Sequence, residues 1–458
     1  MDANRLHGDA RKEIELMKLG KYEDLDALPI ALQEGVDYSA NIIATYVAQY
    51  PARIDMREMA QAMAVEQSTG TWTPVPGETP ELRKRHVARV VGLWEVPFYE
   101  WSLPLEGERQ YVMQIAFPII NFTPQIPMLF ASVMGNISAF GKLKLVDLHL
   151  PQKFVEGFPG PKFGIAGMRE LLNTPKRPQI NIMIKPCAGW TPQWGADTFR
   201  EIALGGADIV KDDELIADAE YNRIQDRLPL FVEAERQAFE ETGEHTLYAV
   251  NITDTLPQVL DNAKRAIELG ATCLMVNVYA TGFPVLRALA EDPEIQVPLL
   301  AHPDVVGATY MSPDHGISAQ LLLGKLARIA GADMVVYQHY AGKVPITRDN
   351  CLQIGRELTF PFYDVKKAWP MPAAGVHPHT VESLVEDFGL DVMVGAGGPV
   401  HGHPMGARAG TRAFRQAVEA VTDGVSLDEA ARKHEELKVA IETWKDPHKE
   451  HDLSERRI

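Results

Sequence analysis

Lys211-Asp212-Asp213-Glu214 stands directly after Gly205-Gly206-Ala207-Asp208-Ile209-Val210. An apolar run of strand length that ends in one lysine and three acids gathers oxygen donors at the carboxyl end of a buried strand, and oxygen-rich clusters suit hard cations such as Mg²⁺. Acid triplets also sit on solvated turns, so the chemistry depends on what else arrives at the same place. Other residues of the right kind are Lys185 before Pro186, Asn251, His302, His339, Gly342-Lys343, His377 and Gly395-Ala396-Gly397-Gly398. The pairs His401-Gly402-His403 and His377-Pro378-His379 lack a thiolate or acid that would complete a zinc set, so polar loop packing is the better reading of them.

The elements that must position these residues recur from about residue 179 onward. Eight short apolar runs alternate with helical, charged stretches: Ile180 to Ile184, Ala207 to Val210, Thr246 to Val250, Cys273 to Val278, Val297 to Ala301, Met334 to Tyr337, Pro372 to Val376 and Val392 to Val394. Near-continuous apolar strands are what a parallel sheet covered on both faces needs, and eight strand-helix units close a (β/α)8 TIM barrel. Gly206, Gly270 and Gly331 each introduce the following strand, and Gly270 suits the end of a helix over Val259 to Leu269. In such a barrel the working residues lie at the carboxyl ends of the strands. Lysines, acids and histidines end five of the runs or follow them closely, Asn251 ends the third, the fourth run offers nothing comparable, and the glycines after the eighth occupy the usual phosphate position.

Earlier residues differ in character. Strands over Tyr38 to Tyr50 and Tyr111 to Phe117, separated by a helix over Met56 to Ala64, predict an α+β domain. The predicted organisation is α/β: a helical arm over 1–35, an α+β domain over 36–150 and a TIM-barrel domain over 151–458, with a polar tail from Lys445. With 45 basic against 62 acidic residues the formal charge is −17, and no basic patch stands out, which argues against nucleic acid or an anionic membrane as partner. No stretch is apolar for the roughly 18 residues of a membrane span. Three cysteines, Cys187, Cys273 and Cys351, are odd in number and far apart, which fits a reducing compartment, and a cytoplasmic location is expected. Asn-X-Ser/Thr matches at Asn121, Asn136 and Asn251 are read as chance.

The stretch from Gly205 to Glu214, together with Ile184-Lys185-Pro186, Glu66-Gln67-Ser68-Thr69-Gly70-Thr71-Trp72, Gly135-Asn136 and Gly402-His403-Pro404, resembles the RuBisCO superfamily over nearly the whole chain. The resemblance implies that Lys211 is carbamylated by CO₂ and that the carbamate, Asp213 and Glu214 bind Mg²⁺. It further implies catalytic roles for Lys185, His302 and Lys343, a homodimer or larger homo-oligomer in which Glu66 and Asn136 reach the partner's barrel, and phosphate or substrate contacts from Thr71, Trp72, Gly375, Gly397 and Gly398. Departures matter as much. Cys187 stands where RuBisCO has a second lysine, Pro303 where it has a phosphate-binding arginine, and Ala373 where it has a serine. A bisphosphate substrate and carboxylation are therefore not expected, and the chain resembles a RuBisCO-like protein.

Thr246 to Asn251 and Phe158 to Ile165 are most similar to the methylthio-sugar-phosphate enzymes of methionine salvage. The diketo-methylthiopentyl-phosphate enolase of that branch has its base lysine on an amino-domain strand, where Gln114 stands here. With Lys185 and Lys343 retained, the expected activity is Mg²⁺-dependent enolisation and proton transfer on a sugar phosphate, as in 5-methylthioribulose-1-phosphate isomerase. The alternatives are that enolase, a decarboxylase or hydrolase of a β-keto sugar-acid phosphate, and a non-catalytic RuBisCO-like binding protein. Lys185 or the carbamate on Lys211 would act as the base and the other would return a proton; in that role Lys185 would need a pKa lowered from about 10.4 toward neutrality.

Overall fold

Burial along the strands divides this chain into two kinds of sheet in the computed structural model, which describes residues 25–71, 73, 75–344 and 346–444. One unit comprises the residues up to Phe158 together with Ala308–Leu321. Its strands β1 (Asn41–Pro51), β2 (Arg89–Val96), β3 (Glu108–Pro118) and β4 (Lys142–His149) alternate between buried and half-exposed positions over much of their length. That is the pattern of a sheet packed on one face only. β1 pairs antiparallel with β3 and β4, and β3 pairs antiparallel with β2. The helix Met56–Glu66 starts where the Asp55 carboxylate accepts the N–H groups of Arg57 and Glu58.

The other unit, Pro159–Gly307 with the chain from Leu322 onward, holds the parallel sheet. Its first strands are β5 (Gln179–Met183), β6 (Ile209–Lys211), β7 (Leu247–Asn251), β8 (Cys273–Asn277) and β9 (Leu299–His302), each buried throughout. The chain then contributes a two-residue strand, β10 (Gly316–Ile317), parallel to β4 in the first unit's sheet. It resumes the parallel sheet with β11 (Met334–Gln338), β12 (Trp369–Ala373) and β13 (Met393–Ala396). The eight strands run in the order β12-β11-β9-β8-β7-β6-β5-β13. β12 and β13, the two ends of that order, lie side by side, so the sheet is a nearly closed barrel. Met275, Leu300, Met334, Met371 and Met393 fill its interior.

The seam has a sequence cause. β12 bonds to β11 through the Trp369 N–H and the Ala373 carbonyl, so Pro370 and Pro372 lie at the positions whose N–H groups would point to β13. Proline has no N–H to offer there. Across the seam a side chain at Gly395 would come within 3.0 Å of the Ala373 Cβ, so glycine permits the close approach.

The TIM-barrel expectation holds, with strand positions shifted in detail. The seventh strand was expected over Pro372 to Val376 and instead ends at Ala373, because Ala374 and Gly375 have left-handed φ of 71° and 124°. β2, β4 and β10 were not anticipated; β2 is disguised by a register shift between Val90 and Gly92. Of the arm expected over 1–35, residues 1–24 lie outside the described residues, and the remainder forms the short 3₁₀ turns Leu25–Ala27 and Gln33–Gly35. The tail from Lys445 also lies outside them. No helix of the described residues is long and apolar enough to cross a membrane.

Candidate active site

The carboxyl ends of β5, β6, β7, β8 and β9 deliver a cluster of charged and polar groups. Lys185 lies two residues beyond β5; its Nζ donates to the Asp213 carboxylate and sits 3.2 Å from the Cys187 Sγ. Lys211, the last residue of β6, is fully buried, and its Nζ donates to the Asp212 carbonyl at 2.8 Å and to Glu214 Oε2 at 3.2 Å. His302 ends β9 with Nε2 3.3 Å from Glu214 Oε2 and Nδ1 3.6 Å from Asp304 Oδ1. Beneath them the Glu214 carbonyl accepts the side-chain amides of Asn251 at 3.3 Å and Asn277 at 3.1 Å. Glu214, His302 and Asp304 can bring one donor atom each to within 4.8 Å of the others, the grouping of metal-ligating type found among the described residues.

Electrostatics follow from this packing. Burial pushes the Glu214 carboxyl up, but the charge of Lys211 beside it, then that of His302 in the acid range where both titrate, and last that of Lys185 override burial and bring it down to about 2. Burial and then the Lys211 charge pull His302 down to about 3, so its imidazole is neutral near pH 7 and Lys211 is the effective counter-charge to Glu214. Burial lowers Lys185, yet the Asp213 hydrogen bond and charge outweigh it and hold the amine above its ordinary value. Asp304 is raised by burial and by the Glu214 charge. The lowered pKa that a general base needs at Lys185 is thus absent while Asp213 is its partner.

The other expected residues fall around this cluster or in the first unit. A Cβ at Gly397 would stand 3.4 Å from the Lys185 Cε, which puts that glycine against the Lys185 side chain. Gly375 packs on the loop of Lys343, where a Cβ would meet the Lys343 backbone nitrogen at 2.9 Å, while the Lys343 N–H donates to the Ala374 carbonyl at 2.8 Å. The Lys343 side chain is exposed, and the surroundings of Gly398 are open. In the first unit Asn136 donates to Glu66 at 3.0 Å, Thr71 is exposed, and Trp72 lies outside the described residues. Gln114 is tied as an amide between Gln33 and Thr45, both at 3.2 Å.

Asn277 corrects the expectation that the fourth barrel strand brings nothing. Its signal was a single polar residue closing an apolar run, weaker than a charge. Asp304, two residues after His302, joins the cluster without having been among the expected site residues. The loop histidines do pack as expected: His403 lies 3.0 Å from the Glu436 carbonyl, and His401 Nε2 lies 3.0 Å from the Met183 carbonyl and 3.2 Å from the Lys185 amide nitrogen, bracing the exit of β5.

Residues 35–154 match the family model for the ribulose bisphosphate carboxylase large chain, N-terminal domain, and residues 164–444 match that for its catalytic domain. The chain belongs to the RuBisCO large-chain family. A ribulose bisphosphate carboxylase-like protein of Archaeoglobus fulgidus is 52% identical over 89% of this chain and 94% of its own length. A 2,3-diketo-5-methylthiopentyl-1-phosphate enolase of Geobacillus kaustophilus is 40% identical over 88% of this chain and 98% of its own. Among solved structures, a rubisco-like protein (MtnW) from Alicyclobacillus acidocaldarius superposes with a TM-score of 0.81 at 37% identity, covering 88% of this chain and all of that one. The RuBisCO fold expected from the motifs is therefore the fold of this chain, and its relatives include enolases of the RuBisCO-like type.

Proposed function

We propose that this RuBisCO-family chain is a divalent-metal-dependent enolase of a phosphorylated dicarbonyl, of the 2,3-diketo-5-methylthiopentyl-1-phosphate type, and not a bisphosphate carboxylase. The observation that carries the reading is the meeting of Lys185, Lys211, Asp213, Glu214 and His302 at the carboxyl ends of β5, β6 and β9. Support for the substrate comes from relatives that bear the enolase name across 88% of this chain. Pro303 and Ala373 argue against a second phosphate, since neither side chain can donate to an anion.

The donor set fits a carbamate and a hard cation by charge. With both lysines protonated, Lys185 and Lys211 (+2) offset Asp213 and Glu214 (−2). Converting Lys211 to a carbamate replaces a cation by a third anion beside Asp213 and Glu214, an excess of negative charge that a divalent ion would offset. Lys211 as carbamate, Asp213 and Glu214 would hold the ion through oxygen, as Mg²⁺ prefers. Bound there, it would polarise the substrate carbonyl and stabilise the charge that develops when the neighbouring C–H proton leaves.

The chain's own groups do the rest. Lys185 is the proposed base: once Asp213 turns to another cation, the amine loses the partner that holds its pKa up and can take the proton. His302, neutral and buried, is placed to hydrogen-bond a substrate oxygen without adding charge. Gly375, Gly397 and Gly398 are proposed to offer backbone to the single phosphate, and Lys343 to cover the substrate from its loop. A homo-oligomer is proposed from the family likeness, with the Glu66–Asn136 pair serving a neighbouring copy.

A second reading, 5-methylthioribulose-1-phosphate isomerase, is favoured by one observation: Gln114 replaces the amino-domain base lysine of the enolase branch and is engaged as a neutral amide. Proton NMR of the enzyme with Mg²⁺, bicarbonate and each substrate separates the two. Conversion of the diketone to its enol supports the proposal, interconversion of methylthioribulose 1-phosphate alone supports the isomerase, and no turnover of either refutes both.

A further inference from the structure

Three consecutive acids follow Lys211, the last residue of β6, and their contacts send them to different sides. Lys211 and Asp213 share the inner face with the cluster described above, and Asp212 points the other way. Its Oδ1 accepts the Tyr248 hydroxyl at 2.5 Å, and its Oδ2 accepts Arg227 Nη2 at 2.7 Å and the Asn251 N–H at 2.9 Å. Both Asp212 and Arg227 side chains are fully buried. Arg227, on the helix Ile224–Thr242, also donates to the Tyr248 oxygen at 3.0 Å and to the carbonyls of Ala217 and Asn222, each at 2.8 Å. One guanidinium thereby pins both ends of the segment 212–222 that carries Asp213 and Glu214. Tyr248, on β7, is held in turn by stacking on Phe231 with ring centroids 4.1 Å apart.

A buried ion pair is a poor source of stability, because the desolvation of its charges offsets most of their attraction. What this one provides is geometry. We propose that Asp212, Arg227 and Tyr248 are positioning residues: they fasten the middle acid outward and so set the affinity with which Asp213 and Glu214 take up a divalent cation. The inference rests on the metal reading given above. It differs from a purely structural role in that loosening the clamp without unfolding the barrel weakens cation binding, since partners that orient ligating groups typically change metal affinity by about ten- to a hundredfold.

Tyr248→Phe removes one hydroxyl and leaves the stacking ring, and Arg227→Lys keeps the charge but cannot reach four acceptors. Mn²⁺ binding to wild type and both variants is measured by electron paramagnetic resonance in bicarbonate buffer, well below the melting temperature, with circular dichroism confirming the fold. The expected result is a Kd for Mn²⁺ weaker by about tenfold in folded Tyr248→Phe, with kcat recovering at saturating metal. A folded Tyr248→Phe protein that binds Mn²⁺ as tightly as a binding-competent wild type overturns the inference alone. A wild type that binds no Mn²⁺ overturns the metal reading and the inference with it.

Discussion

Replacing Lys185 by alanine tests both the electrostatics and the chemistry of the site. Lys185 Nζ is paired with an Asp213 carboxylate that is completely buried, while the Lys185 side chain keeps 29% of its surface exposed. Removing one partner of a fully buried pair costs about 3–5 kcal/mol, and the solvent that reaches this lysine reduces the expected loss to about 1–3 kcal/mol. The loss should be read in chelator by urea unfolding. Adding Mg²⁺ and bicarbonate should stabilise Lys185→Ala more than wild type, because the ion replaces the missing counter-charge and binding to the folded state adds stability by mass action. Turnover should fall by at least about a hundredfold, the lower range for general acid–base catalysis, whereas Gln114→Ala should lose far less. Lys185→Ala with unchanged stability in chelator would refute the pairing, and turnover close to wild type would move the base elsewhere.

Lys211→Ala should remain folded by circular dichroism yet lose both Mn²⁺ binding and any dependence of activity on CO₂; tight metal binding by the variant would contradict a carbamate ligand. Ribulose 1,5-bisphosphate should not be carboxylated, so radiolabelled CO₂ should enter phosphoglycerate at no more than background. At the far side of the barrel unit, burial raises Asp333 from 3.8 to about 6, against the pull of N–H donors from Gly164, Leu299 and Phe163. The folded state therefore binds this proton more tightly than the unfolded state, so the contribution is full below pH 3.8 and is lost as pH rises through about 6. Between pH 5 and pH 7 that amounts to about 1 kcal/mol, and Asp333→Asn should flatten the pH dependence of urea stability by this amount; an unchanged slope would show that Asp333 does not titrate there.

The sequence was legible where chemistry is concentrated at the ends of apolar runs. Lys185, Lys211, Asp213, Glu214 and His302 were all found that way, because a parallel barrel strand must be apolar until it leaves the core. Less was visible where the signal is spread out. The prolines of β12 disguised its position, since proline argues against a central strand unless its missing N–H faces a seam. Two residues, Gly316 and Ile317, are too short a pattern to announce that 308–321 belongs to the first unit. Arg227 reads in sequence as one more charge on a polar helix, and nothing local says that it is buried against Asp212. Asp212 reads in sequence as one of three neighbouring acids and was left out of the expected ligand set, but nothing local says that it is buried against Arg227 and Tyr248.

Proton exchange at the carbon beside the substrate carbonyl tests metal-assisted enolisation most directly. Incubated in D₂O with 2,3-diketo-5-methylthiopentyl 1-phosphate, Mg²⁺ and bicarbonate, the enzyme should incorporate deuterium at that carbon or convert the diketone to its enol, and both signals should vanish in chelator and in Lys211→Ala. Undiminished exchange without metal, or no exchange with it, would contradict the account.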